Sequence, residues 1–177
     1  MELFGTAAGI ASVVLTARRN IWGWPVGLLW AATYVAVFAQ AKLYSDTILH
    51  VVYVGLQLYG WWQWRSGTVE NGGPVQRLTR RTAIVALAAG TAGTALLGGL
   101  MASFTDAALP WPDAFTTAFS LVAQVLMARR VVECWWVWIA VDTVAIGVYL
   151  SKSLLPTAGL FSVFLVLAVY GLYQWTR

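Results

Sequence analysis

Charge is scarce in this 177-residue chain: 11 Lys and Arg with 7 Asp and Glu make 10% of the residues, against roughly 25% in an ordinary soluble domain. With a mean hydropathy of +0.72, so little polar surface excludes a water-soluble globular enzyme and makes lipid the solvent for most side chains. The single cysteine, Cys134, excludes an intrachain disulfide framework and a Cys-based zinc cluster, which leaves packing as its role. The chain has no His/Cys/Asp spacing of a metal site, no activated nucleophile pair and no P-loop, since Gly72-Gly73 lacks the Lys-Ser/Thr ending. Catalysis, a cofactor, a resident metal and nucleotide-driven pumping are therefore not expected.

Apolar residues are abundant, at 60% of the chain. Runs bounded by charge, Pro or Gly predict seven membrane spans over 3–17, 21–40, 45–64, 82–104, 114–128, 133–151 and 155–175. The first and fifth are short for a hydrocarbon core of about 30 Å. A signal peptide over 1–17 is disfavoured because Arg18 and Arg19 follow the apolar run instead of preceding it. With the N-terminus outside, nine of the 11 basic residues (Arg18, Arg19, Arg65, Arg77, Arg80, Arg81, Arg129, Arg130 and Arg177) fall inside, and Lys42 and Lys152 fall outside. This positive-inside asymmetry predicts a multi-pass plasma-membrane protein with a cytoplasmic C-terminus. It also accounts for the pI of about 9.5 without nucleic acid; the Arg65–Arg81 segment reads as a cytoplasmic linker touching anionic head groups.

The chain repeats itself. Residues 4–65 align without a gap on 115–176 at an offset of 111, with 19 of 62 pairs identical. Ala17-Arg18-Arg19 falls on Ala128-Arg129-Arg130, Trp24 on Trp135, and the Tyr59-Gly60 and Gln63-Trp64 pairs on Tyr170-Gly171 and Gln174-Trp175. The expected organisation is a three-helix unit over 1–65, a linker over 66–81, a connector helix over 82–104 and a second three-helix unit over 114–177. One intervening helix restores the starting side, so the 3+1+3 repeats are expected to be parallel. Helix four, with Gly90, Gly93, Gly98 and Gly99, reads as a connector whose small residues permit close packing.

A polar side chain at bilayer depth is costly unless it faces a partner or a water-filled space. Three stripes with helical spacing carry such groups: Asp46, His50, Tyr53, Gln57, Trp61 and Trp64; Asp113, Thr117, Ser120 and Gln124; and Trp135, Trp138, Asp142 and Tyr149. Asp142 is the acid nearest the centre of a span. Gln57 and Trp61 lie about 5 and 10 Å inward of their span's midpoint, and Trp138 and Trp135 about 6 and 10 Å inward of Asp142, so the groups can line one cavity. Trp22, Trp24, Trp61, Trp62, Trp64, Trp111 and Trp175 read first as interfacial belt residues; Asp46 and His50 read equally as a solvated or locally paired set. The arginine pairs read as topology signals. Offset by 111, Asp46, His50 and Gln57 fall on Thr157, Phe161 and Ala168, and Asp142 falls on Ala31, an asymmetry that suits one non-symmetric substrate. Aromatic faces beside a carboxylate suit a flat cationic ring, and amides suit hydroxyls or a carboxamide.

The runs Asn20-Ile21-Trp22-Gly23-Trp24-Pro25-Val26-Gly27, Leu43-Tyr44-Ser45-Asp46, Leu56 to Trp64 and Trp135-Trp136-Val137-Trp138 with Asp142 resemble the PnuC family of bacterial vitamin transporters over nearly the whole chain. The resemblance implies an all-α membrane fold of seven transmembrane helices similar to the SWEET-type sugar transporters, often a homotrimer. It implies facilitated diffusion of nicotinamide riboside with metabolic trapping, with thiamine, riboflavin or proton-coupled uptake as alternatives. Substrate contacts carry over to Trp135 and Trp138, then to Gln57 and Tyr53; Asp142, Trp61 and Gln124 complete the expected substrate-binding set. Asp142 stands where members carrying nicotinamide riboside often have Asn; a buried acid favours a ring cation over neutral riboflavin.

Overall fold

The computed structural model describes residues 2–40, 42, 44–66 and 74–177, with the backbone alone at 2–4 and 44–46. The Asp46 side chain and Gly72-Gly73 lie outside the described residues. The described residues form seven helices: α1 (Glu2–Ala17), α2 (Gly23–Gln40), α3 (Tyr44–Arg65), α4 (Arg80–Phe104), α5 (Pro110–Ala128), α6 (Cys134–Ser151) and α7 (Leu155–Thr176). By length and composition, α4, α6 and α7 are apolar enough to cross a membrane.

The starts of two helices differ from expectation for identifiable reasons. Helix α5 begins at Pro110 and has 19 residues, about 28 Å at 1.5 Å per residue, so it is not short. Pro110 and Pro112 read in sequence as breakers; in the structure they occupy the first turn, where a missing N–H costs nothing because that donor has no intrahelical partner. Only α1, with 16 residues, remains short. Helix α4 also starts earlier than expected, because the Thr79 hydroxyl accepts a hydrogen bond from the Thr82 N–H at 3.2 Å and caps it.

Neighbouring helices close a ring in the order α1, α2, α3, α5, α6, α7 and back to α1, and α4 packs outside it against α5. The glycines explain this docking. A Cβ at Gly90 would stand 2.6 Å from the Phe119 ring, and one at Gly98 2.5 Å from Trp111, so bare backbone on α4 receives aromatic rings from α5. The outer face of α4 exposes Ile84, Val85, Leu87, Leu96, Leu100 and Phe104, side chains suited to lipid.

The ring is tied together at its basic end, where the α1–α2 and α5–α6 turns carry Arg18-Arg19 and Arg129-Arg130. Both turns are Schellman motifs, with Asn20 N–H on the Leu15 carbonyl and Val131 N–H on the Leu126 carbonyl. Their left-handed residue, usually glycine, is Arg19 (φ 57°) and Arg130 (φ 56°). A side chain there strains the backbone by about 1 kcal/mol, and the structure shows what the side chain does. Arg19 donates to the Gln174 carbonyl at the end of α7 at 2.6 Å. Arg130 donates to the Trp64 carbonyl at the end of α3 at 2.9 Å and lies 5.0 Å over the Trp64 ring. Burial pushes the Arg130 guanidinium pKa below its ordinary value and strengthens that cation–π contact. In return, the Trp175 indole donates to the Ala17 carbonyl and the Trp64 indole to the Ala128 carbonyl, each at 3.1 Å. These carbonyls belong to the last turns of helices, where no intrahelical donor exists. The arginines are thus cross-braces as well as charges.

Tryptophan fills the space between them. Trp24 meets Trp64 edge to face at 5.5 Å, Trp135 meets Trp175 the same way at 5.4 Å, and Trp64 and Trp175 lie 6.1 Å apart. A Cβ at Gly60 would run into the Trp24 ring, and one at Gly171 into the Trp135 ring. Trp24, Trp64 and Trp175 are therefore core residues and not belt residues: bare glycine backbone and cross-helix carbonyls make room and partners for them inside. Trp22, Trp62 and Trp111 remain exposed, and Cys134 is fully buried in the same core.

The linker is also docked. Gln76 N–H donates to the Arg130 carbonyl at 2.8 Å, and Val132 N–H donates to the Gln76 carbonyl at 3.0 Å. Glu133 accepts from the Leu78 N–H at 2.9 Å. Gln76 thus makes an isolated parallel β-bridge with Val131 on the α5–α6 turn.

Trp175→Phe keeps an aromatic ring but loses the bond to Ala17, and should cost about 1 kcal/mol. Trp175→Ala also empties the centre of the cluster and should cost about 3–5 kcal/mol. Thermal unfolding in detergent should rank wild type, Phe and Ala in descending order; equal midpoints for Phe and Ala would refute the ring's packing role.

Candidate functional site

Two hydrogen bonds fix how α3 and α5 run. Tyr53 meets Ser120 at 2.6 Å, and farther along both chains Trp64 meets the Ala128 carbonyl. The helices are therefore parallel, and Gln57 and Gln124, each four residues beyond Tyr53 and Ser120, share one depth, a turn closer to the basic end. Ser120 donates its own proton to the Thr117 carbonyl at 2.9 Å, so Tyr53 is the donor in the seam and its oxygen keeps acceptor capacity. Gln57 is 6% exposed and Gln124 7%, and neither makes a hydrogen bond among the described residues.

Helix α6 returns antiparallel beside α5 through the 129–133 turn. Trp138 is four residues into α6 and Gln124 four residues from the end of α5, each about 6 Å from the basic end; Asp142 and Ser120 are each about 12 Å from it. Two layers result. The inner layer holds Gln57, Gln124 and Trp138, whose buried Nε1 has no hydrogen-bond partner among the described residues. The next holds Tyr53, Ser120 and Asp142, which is 3% exposed and has no hydrogen bond or ion pair among the described residues.

The remaining expected site residues sit elsewhere. Trp135 points into the tryptophan core, 5.4 Å from Trp175 and against Gly171; its partner at the 111 offset, Trp24, makes the same contacts with Trp64 and Gly60. The Nε1 atoms of both are buried without a partner. Trp61 packs half-buried on the same core, one turn nearer the basic end than Gln57. Asp113, at the start of α5, pairs with Lys152 after α6 at 2.8 Å, far from the two layers. His50 is half-buried among aromatic rings, 4.9 Å from Phe38, 5.4 Å from Trp30, 5.5 Å from Tyr34 and 5.9 Å from Tyr53.

Sequence reasoning missed α1 and α2. Ser12 is buried and donates to the Gly23 carbonyl at 2.8 Å, and Thr16 donates to the Ser12 carbonyl. The Gln57 amide lies over Gly27, beside the Ser12 hydroxyl. A Ser and a Thr four apart on one face of an apolar helix were the available signal.

Buried amide, indole N–H and carboxyl groups without protein partners are costly in a membrane protein. Together they offer donors, acceptors and one aromatic face at a common level, the equipment of a small-molecule site between helices. Helices apolar enough to cross a membrane and the polar layers between them define a membrane carrier.

The whole chain, residues 1–177, matches the family described as nicotinamide mononucleotide transporter, and the chain belongs to that family. It is 31% identical to the nicotinamide riboside transporter PnuC of Neisseria mucosa, over 96% of this chain and 69% of that protein. It is 29% identical to the riboflavin/roseoflavin transporter RibM of Streptomyces davaonensis, over 98% of this chain and 83% of that one. A crystal structure of the vitamin B3 transporter PnuC superposes with a TM-score of 0.77 at 29% identity, covering 98% of this chain and 79% of that chain. The protein is a bacterial-type membrane vitamin transporter and not an enzyme.

Asp113→Asn removes an ion pair whose side chains are about a quarter to a third exposed, so it should lower stability by at most about 1 kcal/mol. Vitamin binding by tryptophan fluorescence should be unchanged in this variant. A large loss of binding would place the Asp113–Lys152 pair in the site.

Proposed function

We propose that this chain takes up nicotinamide riboside by facilitated diffusion, with trapping by phosphorylation in the cytosol. The observation that carries this reading is the pair of layers in which buried Gln57, Gln124 and Asp142 and the buried Trp138 Nε1 have no hydrogen-bond partner among the described residues. A cationic pyridinium ring stacks on the Trp138 face and is balanced by Asp142. The carboxamide and ribose hydroxyls take the hydrogen bonds of Gln57, Gln124 and the Tyr53 oxygen. Trp135 and Trp61 hold the adjoining wall from the tryptophan core.

The architecture proposed for this task is seven spans in 3+1+3 parallel repeats of SWEET type, with the N-terminus outside. Supporting it, the neighbour relations of α1, α2 and α3 recur in α5, α6 and α7, and nine basic residues fall on one side. The units are taken as 1–65 and 114–177, joined by the linker and α4, and the chain as a homo-oligomer, a trimer by its family resemblance. The lipid-suited outer face of α4 is compatible with either bilayer or another protomer.

A second reading, flavin uptake, is favoured by one observation: the similarity to RibM spans 98% of this chain and 83% of that protein. Purified protein in liposomes, without ATP or an ion gradient, distinguishes the two. Saturable nicotinamide riboside uptake, insensitive to an imposed pH gradient, is expected. Trp138→Ala should raise KM about tenfold, the equivalent of about 1.4 kcal/mol of lost stacking. Riboflavin flux without nicotinamide riboside flux would reassign the substrate, and flux that follows the proton gradient would replace facilitation by coupling.

A further inference from the structure

We propose that Gly27 is a positioning residue that sets the reach of Gln57 toward the substrate and thereby helps to select it; this rests on the transport reading above. A Cβ at Gly27 would stand 2.8 Å from the Gln57 Cδ and 2.7 Å from the Ser12 Oγ, so the bare backbone of α2 is a notch in which the Gln57 amide lies. No hydrogen bond among the described residues holds that amide. Ser12 spends its proton on the Gly23 carbonyl at 2.8 Å and flanks the notch as a fixed post. Gln57 is therefore held by shape, and its donors and acceptor are left for a ligand.

Other glycines do different work. A Cβ at Gly23 would run into the Thr16 hydroxyl and would also meet two backbone atoms of α1, the Thr16 nitrogen at 2.9 Å and the Ser12 carbonyl oxygen at 3.0 Å, so close backbone packing demands glycine there. At Gly27 the nearest atoms all belong to side chains, the Gln57 amide and the Ser12 hydroxyl, and none to backbone. Nor does helix packing demand glycine there: the position 111 residues later is Trp138, and the residue equivalent to Gln57 is Ala168. On one scaffold, the first half carries glycine with glutamine and the second tryptophan with alanine. The exchange places an amide on one side of the inner layer and an indole on the other, so a substrate with one flat ring and one hydrogen-bonding edge meets each group in only one orientation.

The test is Gly27→Ala in liposomes, with nicotinamide riboside and riboflavin as probes. For the vitamin that the wild type carries, KM should rise about tenfold with Vmax within about twofold, the signature of lost substrate binding. In the Gln57→Ala background, where of these nearest atoms only the Ser12 hydroxyl still meets the new methyl group, adding Gly27→Ala should change KM no further, because the glycine acts through the amide. An unchanged KM in Gly27→Ala with a lowered unfolding midpoint would assign Gly27 to packing and overturn the proposal, as would effects that multiply in the double variant. A wild type that takes up neither vitamin overturns both this inference and the transport reading; wild-type uptake with an unaltered KM in Gly27→Ala overturns this inference alone.

Discussion

The structure depends on an exchange of hydrogen bonds at its basic end. A helix terminus leaves carbonyls without donors, and in a low-dielectric setting each must find one. Here the first helix of each half receives an indole N–H from the third helix of the other, and each third helix receives a guanidinium from the turn after the other's first helix. The four donors fix the levels of α1, α3, α5 and α7 at that end. Fixing those levels in turn brings Gln57, Gln124 and Trp138 to one depth, so the site follows from the braces.

The two halves agree where the scaffold is made and differ in the layers of buried polar groups. Trp24 and Trp135, Gly60 and Gly171, and Arg19 and Arg130 make matching contacts. Toward the opposite end the correspondence dissolves. Gly9 and Gly5 of α1 lie against Trp30 and Tyr34 of α2, whereas the offset positions are Ser120 and Thr116 against Val141 and Ala145. Aromatic bulk thus fills the first half, and hydroxyls and the Asp142 carboxyl mark the second. A carrier for a molecule without internal symmetry needs such an imbalance, and volume swaps between facing positions achieve it with little disturbance to the backbone.

Much of this was legible in the sequence. The helix positions follow from apolar run length, and the equivalence of the halves from register, since polar and basic pairs do not align through apolar composition alone. Asp142, Gln57 and Gln124 are conspicuous because an apolar chain has few reasons to bury them. What stayed hidden depends on direction within a helix. Composition cannot tell a tryptophan facing lipid from one facing a neighbour's glycine, which is why Trp24, Trp64 and Trp175 read as belt residues. Nor does it show that two arginines reach across to backbone carbonyls, because that requires knowing which helix ends are adjacent. The prolines at 110 and 112 carry the same ambiguity, ending a helix in one register and starting it in another.

The left-handed arginines and their indole counterparts form a self-complementary, isologous contact: what one half gives, it also receives. Such a contact closes upon itself in a pair and leaves nothing over for a third partner. Joining the halves in a single polypeptide adds nothing to this closure; it releases every position away from the shared axis from the obligation to be the same twice.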